Sequence, residues 1–200
     1  MMYRNYFKRL FDLVLSIVFF ILLSPAFLLL SLAIKLDSKG PVFFKQRRIG
    51  SGKSEFMIFK FRTMKTDAPK DQPTHLLKNP DEHITRMGKF LRKTSLDEIP
   101  QLFNIFLGQM SLVGPRPALY NQYDLIALRD EVGANDVKPG LTGWAQVNGR
   151  DEIPIDVKSR FDGEYIEKIS FLFDLKCIFL TFKSVSKAEG IVEGQHPNKL

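Results

Sequence analysis

Phe20–Lys39 reads FILLSPAFLLLSLAIKLDSK, and the way this stretch meets a membrane decides the fold. It closes a charge-free run from Leu13 to Ile34. Those residues would make a helix of about 33 Å, against a hydrocarbon core of about 30 Å. A single spanning helix is therefore the plain reading. A signal peptide fits poorly, because the run is too long and no small-residue cleavage site follows it. Two features favour another path. Arg4, Lys8 and Arg9 precede the run and Lys35 and Lys39 follow it, so the positive-inside rule selects no orientation. Pro25 removes an amide donor and crowds the carbonyl of Ile21, while Ser24 is placed to bond the Phe20 carbonyl and favour a bend. The preferred expectation is a re-entrant helix–break–helix over residues 1–36, entering and leaving by one face. Residues 37–200 then form a membrane-associated domain outside the bilayer.

The 200 residues suit one compact domain plus an appendage, and a hydrophobic content of 44% can build a real core. Lys and Arg total 29 against 22 Asp and Glu, a net charge of +7. That balance favours anionic partners: lipid headgroups, nucleotides or nucleic acid. The single cysteine, Cys177, cannot form an internal disulfide and reads as a small buried hydrophobe. Nothing demands an oxidising compartment.

Beyond the membrane segment the pattern is α+β. Val42–Ile49 and Glu55–Thr63 read as strands joined by a turn at Gly50–Lys53, a short β-hairpin. Thr66–Asp81 is polar and proline-rich, so a loop is expected. Thr85–Lys93 reads as a short basic helix. Ser95-Leu-Asp-Glu98 has the form of a capping box, followed by Ile99, Leu102, Phe103, Phe106 and Leu107 at helical spacing, with Gly108 as the stop. Tyr120–Val132, Pro154–Ile169 and Phe171–Lys187 read as further helices. The last, with Leu172, Leu175, Phe179 and Phe182, is either interfacial or core.

Three stretches could carry chemistry. Asp97-Glu98 alone would be ordinary helix-start acids. However, Arg86, Lys89, Arg92 and Lys93 lie just upstream, and basic residues near a helix start suit phosphate. Two carboxylates would repel phosphate unless a divalent cation bridged them, and oxygen ligands with a pyrophosphate suggest Mg²⁺. Val113-Gly-Pro-Arg-Pro-Ala118 mounts Arg116 between two prolines, a stiff support for a guanidinium. Pro139–Arg150 has glycines that allow close backbone approach and ends on Arg150. The three histidines show no metal-ligand spacing, and no Walker, G-x-S-x-G or dinucleotide fingerprint occurs.

Taken in order, the Ser24-Pro25 pair, KQRRIG, FMIFKFRTM, RKTSLDEIPQLFNIFLGQMSLVGPRPALYNQY and KPGLTGWAQVNGRDE resemble the small monotopic phosphoglycosyl transferases of the bacterial sugar transferase family. The resemblance covers nearly the whole chain. It implies an α+β protein: a re-entrant membrane helix, a hairpin and amphipathic interfacial helices around a small cytoplasmic catalytic domain. Larger relatives add a multi-span region, so this chain resembles the minimal form.

The implied reaction moves sugar-1-phosphate from a UDP-sugar to polyprenyl (undecaprenyl) phosphate and releases UMP. Asp97 would be the nucleophile, forming a phospho-sugar aspartyl intermediate. Glu98 would help hold Mg²⁺. Arg92, Arg116 and Arg150 would hold nucleotide and phosphates. Lys60 and Arg62 join them as substrate-binding candidates, and with Lys45, Arg47 and Arg48 they could also meet anionic membrane lipids. The implied place is the cytoplasmic face of a bacterial inner membrane. A HexNAc or deoxy-HexNAc donor is the expected sugar, and no nucleic acid is expected. A membrane-tethered basic binding module, or a bitopic protein using the acidic pair only as a cap, are the alternatives.

Overall fold

The computed structural model describes residues 2–69, 80–149 and 153–186. A π-helical turn, Tyr3–Phe7, leads into α1, Lys8–Asp37. Strands β1 (Phe43–Ile49) and β2 (Glu55–Phe61) form the expected antiparallel hairpin, with Phe43 opposite Phe61 and Ile49 opposite Glu55. One turn of helix, α2 (Pro80–His83), precedes α3 (Arg86–Thr94). A 3₁₀ turn at Leu96–Glu98 joins α3 to α4 (Gln101–Phe106). Next come β3 (Ser111–Val113), α5 (Tyr123–Glu131), β4 (Gly140–Thr142) and α6 (Trp144–Val147). The chain closes with α7 (Ile155–Lys168) and α8 (Phe171–Ser186). Strands β3 and β4 pair in parallel, a second small sheet that three-residue strands do not announce. Residues 70–79 of the expected Thr66–Asp81 loop lie outside the described residues.

Helix α1 corrects the expected helix–break–helix. It is one continuous helix of 30 residues with Pro25 inside it. The Ser24 hydroxyl donates to the carbonyl of Ile21 at 2.8 Å, not to that of Phe20. The reason is local: proline at 25 lacks the N–H that would have reached the residue four positions back, which is Ile21. The Ser24 hydroxyl supplies the missing donor, so the apolar helix runs on without an orphaned carbonyl.

Both halves of α1 pack on the rest of the chain. Phe11, Leu15, Phe19 and Leu23 lie against a cluster of Ile58, Leu102, Ile105, Met110, Leu112, Tyr165 and Cys177. Phe27, Leu30 and Ile34 belong to a second cluster around Phe61 and Leu91. Polar contacts pin both ends. Near the start, Arg9 donates to the Ile105 and Phe106 carbonyls, and Asp12 accepts from the Leu112 amide. At the far end, Asp37 accepts from the Met87 amide. The opposite face of α1 is apolar and open, with Leu28 71% and Leu36 79% exposed. Phe103, Phe106 and Leu107 around α4, and Leu172, Phe179 and Phe182 of α8, extend that surface. Helix α8 has a core side, with Asp174 and Cys177 buried, and an exposed apolar side. Large side chains of this kind each gain about 1.5–3 kcal/mol on leaving water, so the surface suits a lipid environment. Among the described residues α1 is the one helix long and apolar enough to cross a membrane.

Candidate active site

The loop between α3 and α4 places the acidic pair. Gly88 lets α3 press onto the segment after β2, because a Cβ there would stand 2.0 Å from the Thr63 carbonyl oxygen. Thr85 caps α3 by accepting from the Gly88 amide. Arg92 then reaches the Thr63 hydroxyl with its Nε at 2.9 Å. Here a second expectation needs correction. Ser95 is not the cap of a capping box; it ends α3 in the left-handed region, at φ 56°, and makes no side-chain cap bond. Glu98 does not reach back to it. This turn swings Asp97 and Glu98 away from a helix start and into a cavity of about 1100 Å³.

Inside the cavity the two acids have different lives. Glu98 Oε1 accepts from Lys60 Nζ at 2.7 Å and from Arg116 Nη2 at 2.7 Å. Asp97 accepts no hydrogen bond from a described residue, and its Oδ2 lies 3.9 Å from Lys60 Nζ. Both side chains are mostly buried, 13% and 17% exposed. Burial would raise both carboxyls. For Asp97 burial wins over Lys60, with the neighbouring Glu98 charge adding to it, and the group is pushed up to about 6. For Glu98 the Arg116 and Lys60 charges outweigh burial and hold it well below the usual carboxylate range.

Arg116 stands on a loop whose four consecutive carbonyls are all taken. Pro115 accepts from the Gly140 amide, Arg116 from Arg129 Nη1, Pro117 from Arg48 Nη1 and Ala118 from the Ile49 amide. Arg129 is itself buried and paired with buried Asp162 at 2.6 Å. The glycines expected to allow close approach do so between loops: a Cβ on Gly143 would stand 2.0 Å from the Gly114 carbonyl oxygen. Proline was thus only part of the stiffness. Arg129 and Asp162 were missed, and Arg48 was read only as a lipid contact; the Arg129–Asp162 pairing, between residues 33 apart in sequence, leaves no local signal.

The structure brings together Lys60, Arg92, Asp97, Glu98 and Arg116 around one cavity. It does not use Arg62 in the same way. The Arg62 guanidinium lines the cavity too, but it donates to the Pro41 carbonyl and to the hydroxyl and carbonyl of Ser38, so it ties the end of α1 to the hairpin. Arg48 likewise serves the Pro117 carbonyl, and Arg47 lies 3.7 Å over the Tyr120 ring and pairs with Glu55. Arg150 lies outside the described residues.

Gln146, buried on the cavity wall, carries an amide with no hydrogen-bond partner among the described residues. Among the described residues no cluster of three or more acidic, His or Cys groups stands ready for a metal. One or two carboxylates with substrate phosphates and waters suffice for Mg²⁺, and Asp97 with the lightly engaged Oε2 of Glu98 meets that need.

The cavity has a second character. Phe11, Leu15, Phe19 and Leu23 of α1 and Leu175, Ile178 and Phe182 of α8 line it on the apolar side. One space therefore joins a phosphate-ready cationic floor to an apolar slot.

An acidic pair, a clamped arginine and a long apolar helix thus share one cavity. The chain belongs to the bacterial sugar transferase family, whose model matches residues 3–188. It is 43% identical to the uncharacterized sugar transferase EpsL of Bacillus subtilis, over 94% of this chain and 92% of that protein. It is 42% identical to the UDP-glucose:undecaprenyl-phosphate glucose-1-phosphate transferase of Escherichia coli, over 90% of this chain but 41% of that protein. Exopolysaccharide production protein ExoY of Sinorhizobium fredii is 36% identical, over 92% and 87%. The chain thus spans nearly all of some relatives and about two fifths of others.

Proposed function

We propose that the chain transfers sugar-1-phosphate from a UDP-sugar to a polyprenyl phosphate, releasing UMP, through a covalent intermediate on Asp97. The observation that carries this reading is the contrast inside the acidic pair: Glu98 is neutralised by two cations, while Asp97 keeps unbonded oxygens in the same cavity. In the first step an Asp97 oxygen attacks the phosphorus bearing the sugar. The bond from that phosphorus to the bridging oxygen breaks, and UMP leaves with the electron pair. In the second step an oxygen of the acceptor phosphate attacks the same phosphorus, and Asp97 departs as a carboxylate. A carboxylate nucleophile divides one hard displacement into two easier ones. Lys60, Arg92 and Arg116 offset the charge on the phosphoryl oxygens. Mg²⁺, held by Glu98 with Asp97, would add charge neutralisation at those oxygens.

The acceptor's tail fits the slot between α1 and α8, and its phosphate then meets the floor. Membrane attachment from one side is supported by the docking of both ends of α1 on the same protein body. In this reading α1 enters and leaves by one face while its helical structure runs on through Ser24-Pro25. For the sugar, relatives at 42–43% identity carry glucose in their names, against N-acetylgalactosamine for a relative from Aeromonas hydrophila at 35%. The reading therefore moves from HexNAc toward glucose. Purified protein with undecaprenyl phosphate should release UMP from UDP-glucose in a panel of UDP-sugars. Absence of UMP from every donor would refute the assignment.

A further inference from the structure

Two cations from different parts of the chain meet on a single oxygen of Glu98. Lys60 comes from β2 and Arg116 from the clamped loop at 114–118, and each lies 2.7 Å from Oε1. The backbone that carries Arg116 is held by the four carbonyl contacts described above, and its guanidinium reaches Glu98 from there. Lys60 is fixed by the hairpin register. Glu98 sits on a short 3₁₀ turn, the most easily adjusted of the three mounts.

We infer that Glu98 is an ionic stand-in for the donor's diphosphate. In the free protein it occupies the two cations that a phosphate oxygen would occupy. A bound nucleoside diphosphate takes over Lys60 and Arg116 and releases Glu98 toward the divalent cation. The inference rests on the nucleotide-sugar reading of this cavity. The physical basis is competition: an anionic oxygen of carboxylate and one of phosphate ask for the same donors, and arginine serves either in the same forked geometry. The stand-in also keeps two like charges from facing each other across an empty cavity. It makes nucleotide and metal enter together, since each relieves what the other must displace.

The consequence is a reversal of sign that a purely metal-binding Glu98 would not show. The Kd of UDP for the full chain in detergent micelles is to be measured by calorimetry, in EDTA and in excess Mg²⁺, for wild type, Glu98→Gln and Glu98→Ala. In EDTA both variants should bind UDP roughly threefold to tenfold tighter than wild type, the range for two partly exposed ion pairs. In Mg²⁺ both should bind it more weakly than wild type. Glu98→Asp, which keeps the charge on a shorter stem, should lie between in EDTA and serves if a neutral variant fails to fold. Equal or weaker binding by the variants in EDTA would overturn the stand-in while leaving the nucleotide-sugar reading intact. Failure of wild type to bind UDP in either condition would overturn both.

Discussion

Two buried carboxylates, Asp97 and Asp174, each lie near a lysine, and their surroundings could hardly differ more. Asp174 is fully enclosed and accepts from Lys8, from the Tyr3 hydroxyl at 2.7 Å and from the Tyr165 hydroxyl at 2.8 Å. Every strong acceptor site has a donor, and the cluster binds the start of α1 to α7 and α8. Asp97 lies in a cavity with its lysine at 3.9 Å and no hydrogen bond from a described residue. The first carboxylate is a fastening. The second is left chemically open, and its neighbour Glu98 takes the cations that would have closed it. Lack of satisfaction in a cavity, and not burial or charge as such, separates a working carboxylate from a structural one.

Neutral isosteres should split the pair most sharply. Asp97→Asn should lower transfer by more than about 10³-fold, because an amide cannot form the acyl phosphate. The same change should raise thermal stability at pH 8. A carboxyl pushed up on folding contributes stability below its unfolded value near 3.8 and loses it as pH rises through about 6, so at pH 8 the charged group is a burden that asparagine removes. Asp174→Asn should do the reverse. It removes the carboxylate that pairs directly with the buried Lys8 ammonium, leaving Asp12 as the nearest counter-charge, a loss of about 3–5 kcal/mol, while turnover per folded molecule stays within roughly threefold. Melting curves beside UMP release check both. If the two variants behave alike, the contrast between fastening and open carboxylate fails.

Arg116→Lys probes the cationic side of the same site. Lysine keeps the charge and loses the fork, so donor use at subsaturating UDP-sugar should fall on the order of 10- to 100-fold. Wild-type kinetics there would mean that the clamped loop serves another purpose. A smaller effect is expected from acid. Below about pH 6 Asp97 takes up a proton and loses its nucleophilic form, so kcat/KM should drop about tenfold per pH unit. Glu98, held anionic by its two cations, should not add a second limb in that window. A flat profile down to pH 5 would contradict the buried, under-bonded state of Asp97.

Much of this was readable in the chain. The hairpin came from two β-rich runs around a turn, α7 and α8 from amphipathic spacing, and the site from Asp97-Glu98 beside a proline-mounted arginine. Where the structure adds to or departs from the pattern, the partners mostly lie far away in sequence. Ser95-x-x-Glu98 looks like a capping box until Lys60 and Arg116 claim Glu98. Lys60 and Arg62 share a face by the two-residue period of a strand, yet β2 ends at Phe61, so Arg62 turns off to Ser38 and Pro41. Ser24-Pro25 signals a freed carbonyl correctly, but whether the chain bends or repairs it depends on a hydroxyl rotamer that no pattern encodes.

The central claim is that the open carboxylate becomes covalently loaded. Full-length protein incubated with UDP-glucose and Mg²⁺, without lipid acceptor, should gain one hexose phosphate by intact-mass spectrometry. Peptide fragmentation should place it on Asp97, and undecaprenyl phosphate should discharge it. An adduct on Glu98, or acceptor-dependent turnover by Asp97→Asn at the wild-type rate, would contradict the account.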